Sequence, residues 1–211
     1  DANANGADVV TYTLSDGHGG TTTGTFNVGV AAVNDDPTAG TVADQNTDED
    51  APLTVSKALI LAGASDVDGD TVTLTGGSAL HGSVSLDADG DLVYTPDANA
   101  NGPDVVTYTL SDGNGGTTTG TFNVGVAAVN DDPTAGTVAD QSTDEDTPLT
   151  VAKTLILAGA SDIDGDTVTL TGGSALHGSV SLDANGDLVY TPDANANGPD
   201  VVTYTLSDGN G

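Results

Sequence analysis

The chain has 211 residues, with 32 acidic side chains set against two lysines (Lys57 and Lys153), a formal charge of −30, and no Cys, Met or Trp. Two cations cannot neutralise nucleic-acid phosphates or hold an anionic membrane surface, and no apolar run approaches the roughly 18–20 residues of a membrane span. Without cysteine there is no disulfide and no thiolate metal site, and no signal peptide is expected at the start. Low hydrophobicity at such charge favours disorder, but Val, Leu, Ile, Tyr and Phe fall in ordered alternation, which argues for folded β-structure. The acid load then requires neutralisation from outside the chain.

Taken in order, residues 1–33 recur as 97–129 with only Ala7/Pro103 and His18/Asn114 differing, so 1–33 reads as the C-terminal strands of a truncated repeat. Residues 34–129 form one complete repeat, and 130–211 repeat 34–115 with six differences, at 46/142, 51/147, 56/152, 58/154, 67/163 and 89/185, leaving a repeat without its last strand. The period is 96 residues. That exceeds a solenoid turn of about 20–50 residues and matches an autonomous β-sandwich of about 100. The chain therefore reads as a stretch of a longer array that starts and stops within a repeat.

Within 34–129 the pattern predicts seven strands. The first covers 38–47. The second covers 52–61, with Leu53 and Val55 followed by a compact Leu59-Ile60-Leu61 patch suited to one helical turn. Strands at 71–75 and 83–87 follow, then an Asp87-Ala-Asp-Gly90 turn and a strand at 91–95. The sixth, 104–111, points Val106, Tyr108 and Leu110 one way. The seventh, 117–129, turns Phe122, Val124 and Val126 inward and Thr121, Asn123 and Gly125 outward. Period-two alternation punctuated by Gly, Asn and Asp turns predicts an all-β chain of tandem seven-stranded antiparallel immunoglobulin-like sandwiches. An odd strand count carries the chain in at one end and out at the other, so repeats are expected to join end to end in a rod. Each would be on the order of 40 Å long.

This order sorts the acids by pole. The loop Ser65-Asp-Val-Asp-Gly-Asp70 and the Asp112 turn fall at the N-terminal pole of the repeat, and Asp48-Glu49-Asp50 with the 97–104 loop at the other. Stacking the next repeat would bring Asp48, Glu49, Asp50 and Asp104 against Asp162, Asp164, Asp166 and Asp208, with the linker Asn130-Asp131-Asp132-Pro133 between them. Like charges at 4–6 Å repel by about 1–4 kcal/mol per pair at effective dielectrics of 80 to 20. Carboxylate, amide and backbone oxygens are hard ligands, of which Ca²⁺ takes six to eight. The expectation is several Ca²⁺ ions at each repeat boundary; Zn²⁺ lacks its ligands.

At these residues the chain resembles the cadherin-like, tandem-95 type repeats of large bacterial surface adhesins of the RTX kind. The carriers are AVNDDP (Ala32–Pro37, Ala128–Pro133), TDEDAPLTV and TDEDTPLTV (from Thr47 and Thr143), SDVDGD and SDIDGD (from Ser65 and Ser161), and YTLSDG (from Tyr12, Tyr108 and Tyr204). They are similar to the cadherin linker, PEN, DxD and AxD segments, which in that family hold calcium between domains. The resemblance implies that Asn34, Asp35, Asp36, Asp66, Asp68 and Asp112 serve one boundary. Glu49, Asn130, Asp131, Asp132, Asp162, Asp164 and Asp208 would serve the other. The linker departs from the family pattern, and the LDRE segment is replaced by DANANGPD, where Asp104 or Asn101 is expected to substitute.

The Asp-x-Asp-Gly-Asp loop is not an EF-hand: Gly69 sits at loop position four and Gly77 replaces the bidentate Glu. The turns at 87–90 and 183–186 read as plain hairpins, and His81 and His177 as loop residues. The acids recur in near-identical boundary loops rather than in one concave site, so the chain is read as no enzyme. The expected role is a calcium-rigidified extender of a large extracellular adhesin on the bacterial surface, with adjacent repeats of the same chain as partners. Two alternatives are an adhesive module binding itself or a glycan, and a filament or surface-layer subunit whose terminal repeats are completed by neighbouring chains.

Overall fold

The computed structural model describes residues 3–210; Asp1, Ala2 and Gly211, the outermost residues of the two partial repeats, lie outside the described residues. The chain divides into two units, 1–128 and 129–211. The first opens with an antiparallel hairpin of β1 (Gly6–Ser15) and β2 (Thr21–Val30). Then come β3 (Gln45–Asp48), β4 (Leu53–Val55), α1 (Lys57–Leu61), β5 (Thr73–Ala79), β6 (Gly82–Leu86), β7 (Leu92–Pro96), β8 (Gly102–Ser111) and β9 (Thr117–Ala127). These seven strands make two sheets, in the orders β3-β9-β8-β5 and β4-β7-β6.

Strand alternation decides what lies between the sheets. Val106, Tyr108 and Leu110 of β8 are 0 % exposed, and Phe122, Val124 and Val126 of β9 are buried beside them. The second sheet and α1 supply Val55, Ile60, Leu92 and Tyr94 to the same core. Fully burying a side chain of this kind stabilises by about 1.5–3 kcal/mol. The opposite faces of β8 and β9 carry hydroxyls, with Thr107 opposite Thr121 and Thr109 opposite Thr119.

The structure departs from the predicted strands in three places. The first strand is broken: Thr38 forms an isolated antiparallel bridge with Ser65, and only 45–48 form a ladder, running parallel to β9. An odd number of alternating strands makes the first and last run the same way, so as neighbours they pair in parallel. The second strand stops at Val55, short of its predicted extent, and the expected helical turn follows as α1 after Ser56, whose Oγ accepts a hydrogen bond from the Leu59 amide at 3.3 Å. The third strand starts later and runs on to Ala79, with a bulge between Leu74 and Gly76. Gly40 is needed for close approach: a Cβ there would lie 2.5 Å from the Gly63 backbone, and its carbonyl accepts the Tyr108 hydroxyl at 2.9 Å.

The second unit repeats this plan with β10 (Leu149–Val151), α2 (Lys153–Leu157), β11 (Thr169–Ala175), β12 (Gly178–Leu182), β13 (Leu188–Pro192) and β14 (Val202–Ser207). Its sheets are β10-β13-β12 and β11-β14, around Val151, Ile156, Leu188 and Tyr190. Among the described residues it has no counterpart of β9, and 141–144 form no strand.

Candidate metal centre

Each acidic site is built on the linker that opens its repeat, residues 34–37 and 130–133. Thr38 and Ser65 exchange two backbone hydrogen bonds, of 2.7 and 3.0 Å, which clamp that linker against loop 65–70. The Asp35 amide donates to Asp68 Oδ2 at 2.8 Å, Asn34 Nδ2 donates to Asp112 Oδ2 at 2.7 Å, and the Thr117 amide donates to Asp36 Oδ1 at 3.2 Å. Gly116 leaves room for these groups: a Cβ there would lie 2.2 Å from Asp112 Oδ2 and 3.0 Å from Asp36 Oδ1.

The loop folds around its first aspartate. Asp66 Oδ1 accepts from the amides of Asp68 at 2.8 Å and Asp70 at 3.3 Å, while Gly69 at φ +84° makes the reversal. Asp66 Oδ2 is buried without a hydrogen-bond partner. One carboxylate oxygen from each of Asp66, Asp68 and Asp70 lies within 4.8 Å of the other two. The second unit matches it: Asp162 Oδ1 accepts from the Asp164 and Asp166 amides at 3.0 and 3.2 Å, and Asp162 Oδ2 is buried without a partner. There Asn130 Nδ2 donates to Asp208 at 2.7 Å, the Asp131 amide to Asp164 at 2.8 Å, and Asn210 Nδ2 to Asp166 at 2.6 Å. Asp132 is exposed in its linker.

Electrostatics follow from these bonds. The Asn34 amide, opposed by partial desolvation and helped by the amides of Asn114 and Gly116, holds the Asp112 carboxyl below the usual carboxylate range. Leaving a buried carboxylate oxygen without a donor costs about 1–3 kcal/mol or more, and neighbouring like charges add to it. A hard cation removes both penalties. The donors are all oxygens, from carboxylates held on short loops, and they fit Ca²⁺ in type. Asp70 and Asp166 belong with this group although the sequence reading left them out of the ligand set; the third Asp of the loop motif was the available signal.

At the other end of the first repeat, Glu49 is only 3 % exposed. Its amide donates to Ala127 O at 2.9 Å, and Asn101 Nδ2 donates to its Oε2 at 3.3 Å. Asp48 is exposed at the end of β3, and Asp50 Oδ1 accepts from the Asn99 amide at 3.2 Å. Asp104 departs from expectation. Its carboxylate, 2 % exposed, accepts the Tyr94 hydroxyl at 2.8 Å and the amides of Leu80, His81 and Val105 at 2.7–3.2 Å. It stands in no acidic cluster among the described residues. Desolvation pushes its carboxyl up, but the bonds from Tyr94 and the three amides outweigh that and hold it low; the same balance brings Asp200 to about 2. A carboxylate so fully engaged is an internal structural acceptor, so Asp104 does not replace the missing LDRE group; Asn101 is the residue beside Glu49.

Among the described residues no helix is long and apolar enough to cross a membrane. No curated protein matches the chain. Among solved structures, the endo-fucoidan hydrolase MfFcnA4 from glycoside hydrolase family 107 is similar at 19 % identity and TM-score 0.37, over 95 % of this chain and 32 % of that one. Extracellular cadherin domains 1–5 of protocadherin gamma B2 are similar at 15 % identity and TM-score 0.37, over 94 % and 43 %. The human desmocollin-1 ectodomain is similar at 13 % identity and TM-score 0.34, over 96 % and 43 %. The chain thus spans about a third of the hydrolase and under half of the other two. The expectation that the chain is no enzyme is corrected by these findings: two of the similar structures are endo-fucoidan hydrolases, and the exclusion is withdrawn. The model of the cadherin-like domain matches residues 33–127 and again 129–211. This chain belongs to the cadherin-like domain family, adhesion-related extracellular repeats that typically bind Ca²⁺.

Proposed function

We propose that residues 34–129 and 130–211 are calcium-stiffened extender repeats of a large extracellular adhesin on a bacterial surface, holding a distal adhesive region away from the cell. In this reading 1–33 are the closing strands of another repeat. The observation that carries it is the buried, unpartnered carboxylate oxygen of Asp66 and again of Asp162, each in a loop tied to its own entering linker.

The proposed ligands are Asn34, Asp35, Asp36, Asp66, Asp68, Asp70 and Asp112 in the first repeat, and Asn130, Asp131, Asp132, Asp162, Asp164, Asp166 and Asp208 in the second. Glu49 contributes from the far end of its repeat. Calcium, when bound, supplies the positive charge that offsets these carboxylates. The chain's own part is to hold the linker: the Asn34–Asp112 and Asp35–Asp68 bonds leave residues 34–36 little freedom beside the loops that carry the acids. Binding stabilises the folded state by RT ln(1 + [Ca²⁺]/Kd), and extracellular modules of this sort bind at about 10⁻⁴–10⁻³ M.

Calorimetric titration with Ca²⁺ combined with small-angle scattering tests the reading. Uptake of several ions per chain, with a longer and stiffer particle in calcium than in chelator, is expected. Identical scattering profiles in the two conditions would overturn it.

A further inference from the structure

The stretch Gln45-Asn-Thr-Asp-Glu-Asp50 recurs as Gln141-Ser-Thr-Asp-Glu-Asp146, and the two copies share one half of their structure and differ in the other. In both, the threonine hydroxyl donates across the turn at 2.9 Å, Thr47 to Ala51 O and Thr143 to Thr147 O. In both, the final aspartate lies at φ +59° and accepts an asparagine amide, Asn99 at 3.2 Å and Asn195 at 3.0 Å. The turn is therefore local. The glutamates differ: Glu49 is buried, with β3 laddered on β9, whereas Glu145 is exposed and 141–144 form no strand. The backbone of the Glu49 turn is seated by the last strand of its own repeat, the Glu49 amide donating to Ala127 O at 2.9 Å.

The ladder that makes this seat is short. Four residues of β3 pair at the edge of the sheet, and their side chains alternate between half-buried and exposed. The Glu49 carboxylate accepts from Asn101 Nδ2 at 3.3 Å, and because burying a carboxylate carries a desolvation cost, a cation bound to it adds to the stability of the seated state. We infer that β3 is a cation-responsive latch: calcium bound through Glu49 keeps 45–49 on the edge of β9, and its removal lets that segment swing free while the rest of the sandwich stays folded. This rests on the calcium reading above, because only a ligand that prefers the seated state can shift the equilibrium. Release would uncover the 124–127 edge of β9, a row of backbone groups open to pairing with another strand.

Hydrogen exchange read by mass spectrometry on the 211-residue chain tests the latch, with calorimetry on the same samples to record Ca²⁺ uptake. At calcium about ten times Kd, linkage predicts opening suppressed about tenfold. Peptides spanning 45–49 should then exchange about tenfold more slowly than in chelator, while peptides within 106–110 change less than twofold and 141–145 exchange fast in both. Glu49→Gln should show the same exchange at 45–49 with and without calcium, with 106–110 still protected in both. Calcium uptake with unaltered exchange at 45–49 would overturn the latch and leave the boundary reading standing; no uptake at all would overturn both. Equal acceleration at 45–49 and 106–110 in chelator would show global unfolding and refute a local latch.

Discussion

Asp66 spends one carboxylate oxygen on two loop amides and buries the other without a donor, an arrangement that favours a neutral residue when no cation is near. Asp66→Asn is therefore expected to change sign with conditions. In chelator it should raise the melting temperature by relieving repulsion from Asp68 and Asp70; in calcium it should lower it, with fewer ions bound. Thermal melts in both buffers check this, and a shift of the same sign in both would contradict it. Asp104 and Asp200 are different acids, saturated by amides and a tyrosine hydroxyl. Tyr94→Phe leaves a buried acceptor short of one donor and should cost about 1–3 kcal/mol by urea denaturation. The pH dependence follows in sign. Asp200 at about 2 lies below the unfolded value of about 3.9, so its stabilisation is fully present above about pH 4 and is lost as pH falls towards 2. The stability gap between the wild type and Tyr190→Phe should be widest above pH 4 and narrow below it.

The strands β8 and β9 were legible because side chains alternate with a period of two, so Val106, Tyr108, Leu110, Phe122, Val124 and Val126 declare one face by composition alone. The helical turn was legible from the Leu59-Ile60-Leu61 patch. The parallel pairing of β3 was not, since Gln45–Asp48 has no apolar alternation and owes its strand to a partner some 80 residues away. Asp104 was misread for a related reason: its partners Tyr94, Leu80 and His81 come from a strand of the other sheet and from the β5–β6 connector, and nothing local in the 97–104 loop announces them. Small sequence differences do carry weight at this scale. Ala152 stands where Ser56 caps α1, and α2 has no side-chain cap, so Ala152→Ser should stabilise the second unit by about 0.5–1 kcal/mol in chemical denaturation. Gly40→Ala, with no room against Gly63, should destabilise the first by about 1–3 kcal/mol.

Across the whole molecule, −30 charges and two lysines mean that self-repulsion opposes folding wherever no cation is bound. The lysines are committed locally: Lys57 Nζ donates to Asp89 O, and Lys153 Nζ to Asn185 O at 2.6 Å. Raising monovalent salt in chelator should therefore increase thermal stability by screening, with less effect once calcium is saturating; a salt response unchanged by calcium would argue against charge neutralisation at these loops. Asp162→Ala combined with Asp164→Ala should reduce calcium uptake and loosen the 130–133 linker, leaving exchange protection of the 34–37 linker as it was.

Both units carry their acidic loop and their incoming tether on the same 96-residue cassette, the Asn34–Asp112 and Asn130–Asp208 pairs being copies of one another. A gene duplication or deletion that adds or removes whole cassettes therefore carries each acidic loop together with the linker tied to it, so every copy arrives with its own complete set of these contacts and none has to evolve afresh.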